Sequence, residues 1–351
     1  MVKLVARRWF AALACVWACS FDSGGGAGGS DVGDDGEGEA TGSGSASTSA
    51  SASGSASATT SAEASGSDGS GGSGGPTTAN DDDGASSSTG ASVSGGGCPE
   101  PLPAGWIACF DFEGDAPTAG FSSFADDGGS LAVVALDDGH ALRVRHGPDT
   151  WSGELWLRFG DGPAHDVVAE PAHQFDEVWV TLRVRTDTDW PGAAPNHLVE
   201  LAAMDMQWNA FAGIELFGLD ADPRIDLRAK SCIVGGQVLC GAFPNEWSML
   251  NPFASATGSA TIFDAASSQS WHCLELHAVL AATDTGSAEM FVDDVQDASL
   301  SSLDFLQGLD SPGWNLLHLD TWWGNAPSRP VDSFVDDLVL STQRAGCAAL
   351  D

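Results

Sequence analysis

The chain has 351 residues, of which 49 are acidic and 13 are basic, and its formal net charge is −36. An excess of negative charge on this scale argues against nucleic acids and anionic membranes as binding partners. Most of the Trp, Phe, Leu, Ile and Val residues follow residue 97. The 254 residues from that point can bury one sizeable hydrophobic core, whereas residues 20–97 cannot.

Residues 1–19 have the parts of a secretory signal peptide: a basic start, a short apolar run and small residues at its end. The small residues before Cys15 and Cys19 resemble the lipobox of bacterial lipoproteins, in which the cysteine is acylated. That resemblance implies a lipid anchor outside the cytoplasm, at the bacterial cell envelope or surface. We expect Cys19 to be the acylated residue, because cleavage there leaves an apolar region of ordinary length. Acylation at Cys15, or cleavage without lipid, are the alternatives.

Residues 20–97 consist almost entirely of Ser, Gly, Ala, Thr and Asp. They contain one aromatic residue, Phe21, and no Ile, Leu or Met. Such a segment cannot offset the entropy lost on ordering, so we predict a disordered linker. A flexible chain of about 78 residues has an end-to-end distance of roughly 50 Å, which would hold a domain clear of the lipid headgroups.

Residues 98–351 form the predicted domain and contain six cysteines, an even number that indicates disulfides in an exported protein. Six cysteines allow fifteen pairings, so the connectivity is open. We expect three pairs: Cys232 with Cys240 across a tight loop, Cys98 with Cys109 at the entry to the domain, and Cys273 with Cys347 between an interior strand and the last one.

Alternation of apolar and polar residues predicts many short strands in this domain. No segment shows strong helical periodicity. The predicted strands cover residues 141–145, 154–159, 178–185, 197–201, 213–219, 224–229, 271–280, 288–293, 314–320 and 333–340. The fold class is therefore all-β, with two antiparallel sheets packed as a β-sandwich.

The order of three motifs carries a resemblance to a known family. The domain opens on the run 107–114, continues with a Trp-x-Cys-x-Glu strand at 271–275 and a hairpin, and closes on the Asp-Asp strand at 335–340. This order resembles the concanavalin A-like lectin/glucanase jelly roll, in the branch of glucuronan and alginate lyases. The resemblance covers residues 106–347. It implies the scaffold more than the activity, because this fold hosts lectins, hydrolases, lyases and inert binding domains.

The resemblance also implies a structural Ca²⁺ ion that ties the first strand to the last. The matching positions are Glu113 and Asp336. By alternation Asp336 shares a face with Phe334 and Leu338, where a carboxylate is unfavourable unless it is paired or bound to a metal. Alternatively, Asp336 caps backbone amides. The further candidate ligands are Asp111 and Asp337.

Five arginines alternate with apolar residues on three predicted strands: Arg143, Arg145, Arg158, Arg183 and Arg185. If these strands are adjacent, their polar faces form a positive patch on a very acidic protein. Because guanidinium groups match carboxylates, the patch could bind a uronate-containing glycan. Alternatively, the arginines pair with neighbouring Asp and Glu residues.

Aromatic side chains are the other candidate sugar contacts, because sugars stack on indole rings. Trp322 and Trp323 lie in a loop before the last strand, where we expect both rings to be difficult to bury. Packing in the core is the alternative for each of the 13 tryptophans.

The sequence supports catalysis less well than it supports carbohydrate binding. The lyases that the domain resembles use histidine and tyrosine, and this chain contains no tyrosine. His197 is the candidate base if the protein is a lyase, and no closely spaced carboxylate run of the glucanase type occurs. We therefore predict a monomeric carbohydrate-binding domain for an acidic polysaccharide. A polysaccharide lyase and a structural or adhesive surface domain are the alternatives.

Overall fold

The computed structural model describes residues 93–95, 97–126, 128–147, 153–163, 168–219, 221–240, 252–320, 323–324 and 327–350. All of them lie within one compact unit, residues 81–351. The predicted signal peptide, Cys19, nearly all of the predicted linker and Trp322 lie outside the described residues, so those assignments remain predictions. In the described part of the chain, no helix is long and apolar enough to cross a membrane.

Strands account for nearly all of the regular structure, and the two helices described are short 3₁₀ turns, Ala265–Ser267 and Cys347–Leu350. The strands are, in chain order, β1 (Val93–Gly95), β2 (Trp106–Phe110), β3 (Ser123–Ala125), β4 (Leu131–Leu136), β5 (Gly139–His146), β6 (Glu154–Arg158), β7 (Glu177–Thr186), β8 (His197–Met204), β9 (Ala210–Gly218), β10 (Ile225–Ser231), β11 (Ile233–Val234), β12 (Gln237–Val238), β13 (Ala254–Thr257), β14 (His272–Val279), β15 (Gly286–Val292), β16 (Val295–Leu303), β17 (Leu316–Asp320) and β18 (Val331–Ser341).

The strands form two large sheets and one hairpin. A nine-stranded sheet has the order β1-β2-β18-β7-β14-β15-β16, and β5 pairs with both β18 and β4. A seven-stranded sheet has the order β13-β10-β9-β8-β17-β6-β3, and β11 pairs with β12. Pairing is antiparallel except between β1 and β2. The predicted all-β sandwich of two antiparallel sheets is confirmed.

The core lies between the two sheets and is built by the alternation seen in the sequence. In β6, Leu155 and Leu157 are buried in the core, and Trp156 between them faces the other way. Leu182 and Val184 of β7 contribute in the same manner from the nine-stranded sheet. Each such side chain contributes about 1.5–3 kcal/mol when it is fully buried.

The disulfides are those expected from the sequence. Cys98 bonds Cys109, Cys232 bonds Cys240, and Cys273 of β14 bonds Cys347 just after β18. The sheet begins slightly earlier than the predicted domain boundary at residue 98, because β1 already pairs with β2 at Val93.

The last strand, β18, differs from its expected geometry. Its pairing with β7 is irregular between Asp336 and Val339, and Asp337 has a φ of 51°. A bulge shifts the alternation by one residue. Phe334 therefore lies opposite Arg185 on the outer face, whereas Leu338 is buried in the core. The expectation that Phe334, Asp336 and Leu338 share one face is wrong for this reason.

Candidate functional site

The non-core face of the seven-stranded sheet carries an unusual set of polar side chains. Directly paired residues point to the same side of a sheet, so the register defines rows of neighbours. One row contains Trp156, His318, Glu200, Glu215 and Arg228. The next contains Arg158, Leu316, Ala202, Gly213 and Lys230. We call the side of the sheet with these two rows the polar face.

Five ionisable side chains on or beside this face form a buried ionic network. The Nζ atom of Lys230 lies 2.9 Å from Glu215 Oε2 and 3.9 Å from Glu200 Oε1. His318 Nδ1 is 3.2 Å from Glu200 Oε2, and His197 Nδ1 is 3.2 Å from Glu215 Oε1. All five are buried. Because buried charges are tolerated only when they are paired, the network is stable only as a unit.

The two carboxylates of the network have pKa values shifted in opposite directions. Burial raises the pKa of Glu215, and the charges of Lys230 and His197 offset that effect only in part. Burial also opposes ionisation of Glu200, but the hydrogen bond with His318 and the charge of Lys230 outweigh it and lower the pKa. Neighbouring carboxylates with divergent pKa values are typical of acid–base pairs, although structural networks also produce them.

Two tryptophans next to this network remain partly exposed. The ring centroids of Trp156 and Trp208 are 6.2 Å apart. Trp208 lies in the turn between β8 and β9 with a φ of 68°, an unfavourable conformation for a bulky residue. The side chain of Glu154, at the edge of the same face, is 39% exposed. Together they provide an aromatic surface with a polar border that a ligand can reach.

Arg158 belongs to this polar face and not to the stripe predicted from the sequence. It lies at the end of β6 in the seven-stranded sheet, whereas the other four arginines of the stripe lie in the nine-stranded sheet. Its guanidinium group stands 4.8 Å from the centroid of the Trp208 ring. The expected grouping of all five arginines is therefore wrong, because alternation assigns a face within a strand but not the sheet to which the strand belongs.

The other four arginines, Arg143, Arg145, Arg183 and Arg185, flank β18 on the outer face of the nine-stranded sheet. Three of them contact carboxylates. Arg145 Nε is 2.8 Å from Asp332, Arg183 is 3.4 Å from Asp337, and Arg185 is 3.9 Å from Asp138. The geometry thus matches the alternative interpretation, in which local acidic residues neutralise these arginines.

Arg185 is also packed between two rings, with its guanidinium carbon 4.9 Å from the centroid of Trp271 and 5.1 Å from that of Phe334.

Trp323 differs from its expected exposure. It is only 6% exposed, because its ring packs 5.2 Å from Trp190 and 5.3 Å from His146, measured between centroids. In this conformation it cannot stack on a sugar. Its neighbour Trp322 lies outside the described residues. Because Trp323 is buried, the two rings together do not form the sugar-stacking surface expected from the sequence.

His197, the candidate base, belongs to the buried ionic network. It is 6% exposed, its ring packs 5.2 Å from the ring of Phe217, and Nδ1 faces Glu215. The ring is therefore largely shielded from solvent in the described conformation. The sequence signal that could have found Glu215 was a charged residue inside an otherwise apolar strand. Lys230 gave no such signal, because Asp226 and Arg228 precede it at alternate positions of β10.

The predicted calcium ligands lie where β2, β5 and β18 meet, but they already have protein partners. The Glu113 carboxylate accepts a hydrogen bond from the His140 backbone and lies 2.7 Å from His140 Nδ1. Asp111 Oδ1 accepts hydrogen bonds from the backbone N–H groups of Gly97 and Glu113. Asp337 contacts Arg183. The hydrogen bond from His140 is the main reason that the pKa of Glu113 is lowered.

Asp336 is the exception among these carboxylates. Burial raises its pKa to about 7, and the negative charges of Asp337, Asp111 and Glu113 add to this shift. The only hydrogen bond described for its carboxylate comes from the backbone N–H of Asp337. The junction therefore concentrates negative charge around a half-buried carboxyl group.

No protein-family model matches the chain, and no curated protein matches it. Among solved structures, an alginate lyase from Aplysia kurodai is 11% identical over 68% of this chain and 99% of its own, with a TM-score of 0.47. An endo-β-1,4-glucuronan lyase from the fungus Trichoderma reesei is 13% identical over 64% of this chain and 92% of its own, with a TM-score of 0.44.

The binding domain of botulinum neurotoxin DC is 8% identical over 65% of this chain and 44% of its own, with a TM-score of 0.37. The resemblance predicted from the sequence is confirmed as a likeness of fold. Because a fold does not fix an activity, activity has to be argued from the side chains.

A different acidic group meets the geometric condition for a metal site. In the part of the chain that the structure describes, only Glu275, Asp294 and Cys347 bring three potential ligand atoms within 4.8 Å of one another. The Cys347 sulfur is bonded to Cys273, however, and Arg344 lies 2.6 Å from Glu275 and 3.4 Å from Asp294. The Arg344 guanidinium therefore already supplies the positive charge that a metal ion would bring.

Proposed function

We propose that this domain binds carbohydrate on the polar face of the seven-stranded sheet. The observation that carries the proposal is the pair of partly exposed indole rings, Trp156 and Trp208, next to a dense set of polar side chains. The C–H faces of a sugar ring pack on indole rings, and its hydroxyl groups require polar partners such as Glu154 at the border. The three disulfides fit an oxidising compartment outside the cytoplasm.

The test is affinity electrophoresis of the domain in gels that contain neutral or acidic polysaccharides. We expect retardation in at least one gel, and about tenfold weaker binding after Trp156→Ala or Trp208→Ala, because a buried aromatic contact contributes about 1–2 kcal/mol. Trp271→Ala is the matched control, since that indole lies beside Arg185 on the outer face of the other sheet. Equal losses in all three variants would contradict the proposed location.

The second candidate function is an eliminative polysaccharide lyase. It is favoured by the divergent pKa values of Glu200 and Glu215 and by the contact of His197 with Glu215. Incubation with uronate polymers would then produce an unsaturated product with ultraviolet absorbance, and Glu215→Gln would abolish it. Carbohydrate binding is preferred over lyase activity because the ionic network that would supply the catalytic groups is buried. A domain that neither binds nor cleaves any glycan would point to the structural or adhesive alternative.

We also propose that Ca²⁺ binds at the junction of β2, β5 and β18, with Glu113, Asp336 and Asp337 as ligands and Asp111 beside them. The donor types suit Ca²⁺, because carboxylate oxygens are the ligands that Ca²⁺ prefers, and Asp336 is surrounded by like charges. Their side chains would have to move closer together to coordinate an ion, because these residues do not bring three ligand atoms within 4.8 Å of one another. A cation here would offset that repulsion and link β18 to the segment that follows β2. Its role would be structural.

Ca²⁺ binding and the substitution Asp336→Asn should each stabilise the folded protein at pH 8, because each offsets or removes the negative charge of Asp336. The folded-state pKa of Asp336, about 7, lies above its ordinary 3.8, so this carboxyl group destabilises the fold increasingly as the pH rises from about 4 to about 7, and fully above that pH. In EDTA, Asp336→Asn should therefore be more stable than wild type at pH 8 and equally stable at pH 4. Saturating Ca²⁺ at pH 8 should raise the wild-type Tm by about 5–10 °C and leave the variant unchanged.

Urea unfolding and thermal scans measure both effects, with exposed Asp115→Asn as the control that should behave as wild type. A variant that responds to Ca²⁺ as strongly as wild type would refute the assignment of Asp336 as a ligand.

A further inference from the structure

Arg158 is a buried cation for which the described residues supply no counter-charge. It is 1% exposed, and the single hydrogen bond described for its guanidinium group runs from Nη2 to the Pro163 carbonyl at 3.3 Å. Its Nε and Nη1 atoms are buried and make no hydrogen bond. Among the residues that the structure describes, no carboxylate lies within ion-pair distance of its guanidinium.

This arrangement is energetically unfavourable unless a ligand supplies the missing negative charge. An unpaired buried charge is strongly destabilising, and a buried donor without an acceptor adds to that penalty. Burial alone lowers the pKa of Arg158 to about 10. Other arginines in the domain have carboxylate partners, such as Asp332 for Arg145 and Glu275 for Arg344. In so acidic a protein, a buried arginine without one indicates a site that an external anion completes.

The surroundings hold the guanidinium plane in place. The Trp208 ring lies 4.8 Å from it, and this ring belongs to the aromatic pair on the polar face. The backbone passes close by at Gly162, where a β-carbon would lie 2.8 Å from Nη2. The next residue of its row is the apolar Leu316. The described neighbours therefore orient the cation without neutralising it, and the long contact with Pro163 is one that a stronger acceptor could replace.

We propose that Arg158 binds an oxyanion carried by the glycan, either the carboxylate of an acidic sugar or a sulfate ester. The inference rests on the proposed carbohydrate binding at the polar face and adds the chemical class of the ligand. Charged acceptors make the stronger hydrogen bonds with guanidinium donors, and Arg is the residue best suited to both groups. A glycan chain stacked on Trp156 and Trp208 would place its substituents next to the Arg158 guanidinium, which lies 4.8 Å from the Trp208 ring.

The test compares ligands that differ only in charge. Isothermal titration calorimetry is carried out with oligogalacturonate and its fully methyl-esterified form, and with a sulfated and an unsulfated glucose oligomer. We expect the anionic member of one pair to bind about 10- to 100-fold more tightly, the range of a charge-assisted hydrogen bond in a dry site. The pair that shows the difference distinguishes a carboxylate from a sulfate ester.

Arg158→Met supplies the variant, and Arg145→Met, which removes an exposed arginine, supplies the control. Arg158→Met should abolish the preference for the anionic ligand and leave the Tm of the free protein equal or higher, because it removes an unpaired buried charge. Arg158→Lys should keep part of the preference. Arg145→Met should keep all of it.

Two outcomes would overturn the inference. One is equal binding of charged and neutral ligands by wild type. The other is a large fall in the Tm of Arg158→Met with its ligand preference intact, which would make Arg158 a packing residue. Absence of binding to every oligomer would instead count against the proposed carbohydrate function itself.

Discussion

Replacing Lys230 with methionine should lower the free energy of unfolding by about 3–5 kcal/mol, the range for removal of one partner from a buried ion pair. Lys230 is 2.9 Å from Glu215 and 3.9 Å from Glu200, and all three are buried. Without the ammonium group, two carboxylates would face each other across paired strands with only histidines to neutralise them. Urea unfolding followed by tryptophan fluorescence measures the change.

Two further variants show whether the loss arises from the network. Arg145→Met breaks a surface pair with Asp332 and should change stability by less than about 1 kcal/mol. The double variant Lys230→Met/Glu215→Gln should recover part of the loss, because one isolated carboxylate has been removed. A Lys230→Met protein within about 1 kcal/mol of wild type would mean that water reaches these side chains.

Loss of the Cys273–Cys347 disulfide should have the second largest effect. The bond links residues 74 apart in the sequence. In the chain-entropy account, a loop of this length contributes about 4 kcal/mol by restricting the unfolded chain. Replacing both cysteines with serine should therefore lower the free energy of unfolding by about that amount. It should also loosen Arg344, whose contact with Glu275 lies next to the bond.

The Cys232–Cys240 disulfide is the matched control, because its cysteines are only eight residues apart. The corresponding double serine variant should lose about 2–3 kcal/mol. Equal losses for the two pairs would show that local strain or unfolded-state structure, and not loop length, decides the stabilisation.

The fold followed from local patterns in the sequence. Alternation identified ten strands, because each buries one face against the core and leaves polar residues on the other. Two longer strands were missed for reasons that their residues show. β4 is a nearly continuous apolar run, and β16 carries mostly polar, exposed residues at the edge of its sheet. The disulfide pairs agree with those expected from the loop between Cys232 and Cys240 and from the positions of the other cysteines, although the spacing left fifteen pairings open.

The site was harder to predict, because it depends on which strands become neighbours. Arg158 has the same sequence pattern as Arg143, yet it lies in the other sheet. Trp323 is buried by Trp190 and His146, which are distant in the sequence. A one-residue bulge placed Asp336 on a different face from Leu338. None of these three effects leaves a local signal.

The buried ionic network illustrates the same point in a positive sense. Glu200 and Glu215 are each the one carboxylate in a largely apolar strand, whereas Lys230 ends the regular alternation of charged residues in β10. Only the register shows that these three side chains neutralise one another. A charged residue inside an otherwise apolar strand is therefore a useful signal of a buried ionic network. Its partners have to be sought on adjacent strands.

The proposed glycan site is the polar face next to Trp156 and Trp208. Hydroxyl-radical footprinting read by mass spectrometry tests it most directly, because tryptophan oxidation reports the exposure of each indole ring. We expect a bound glycan to lower oxidation of Trp156 and Trp208 and to leave the half-buried Trp271 and Trp106 on the other sheet unchanged. Protection of Trp271 in place of Trp156 and Trp208 would contradict it.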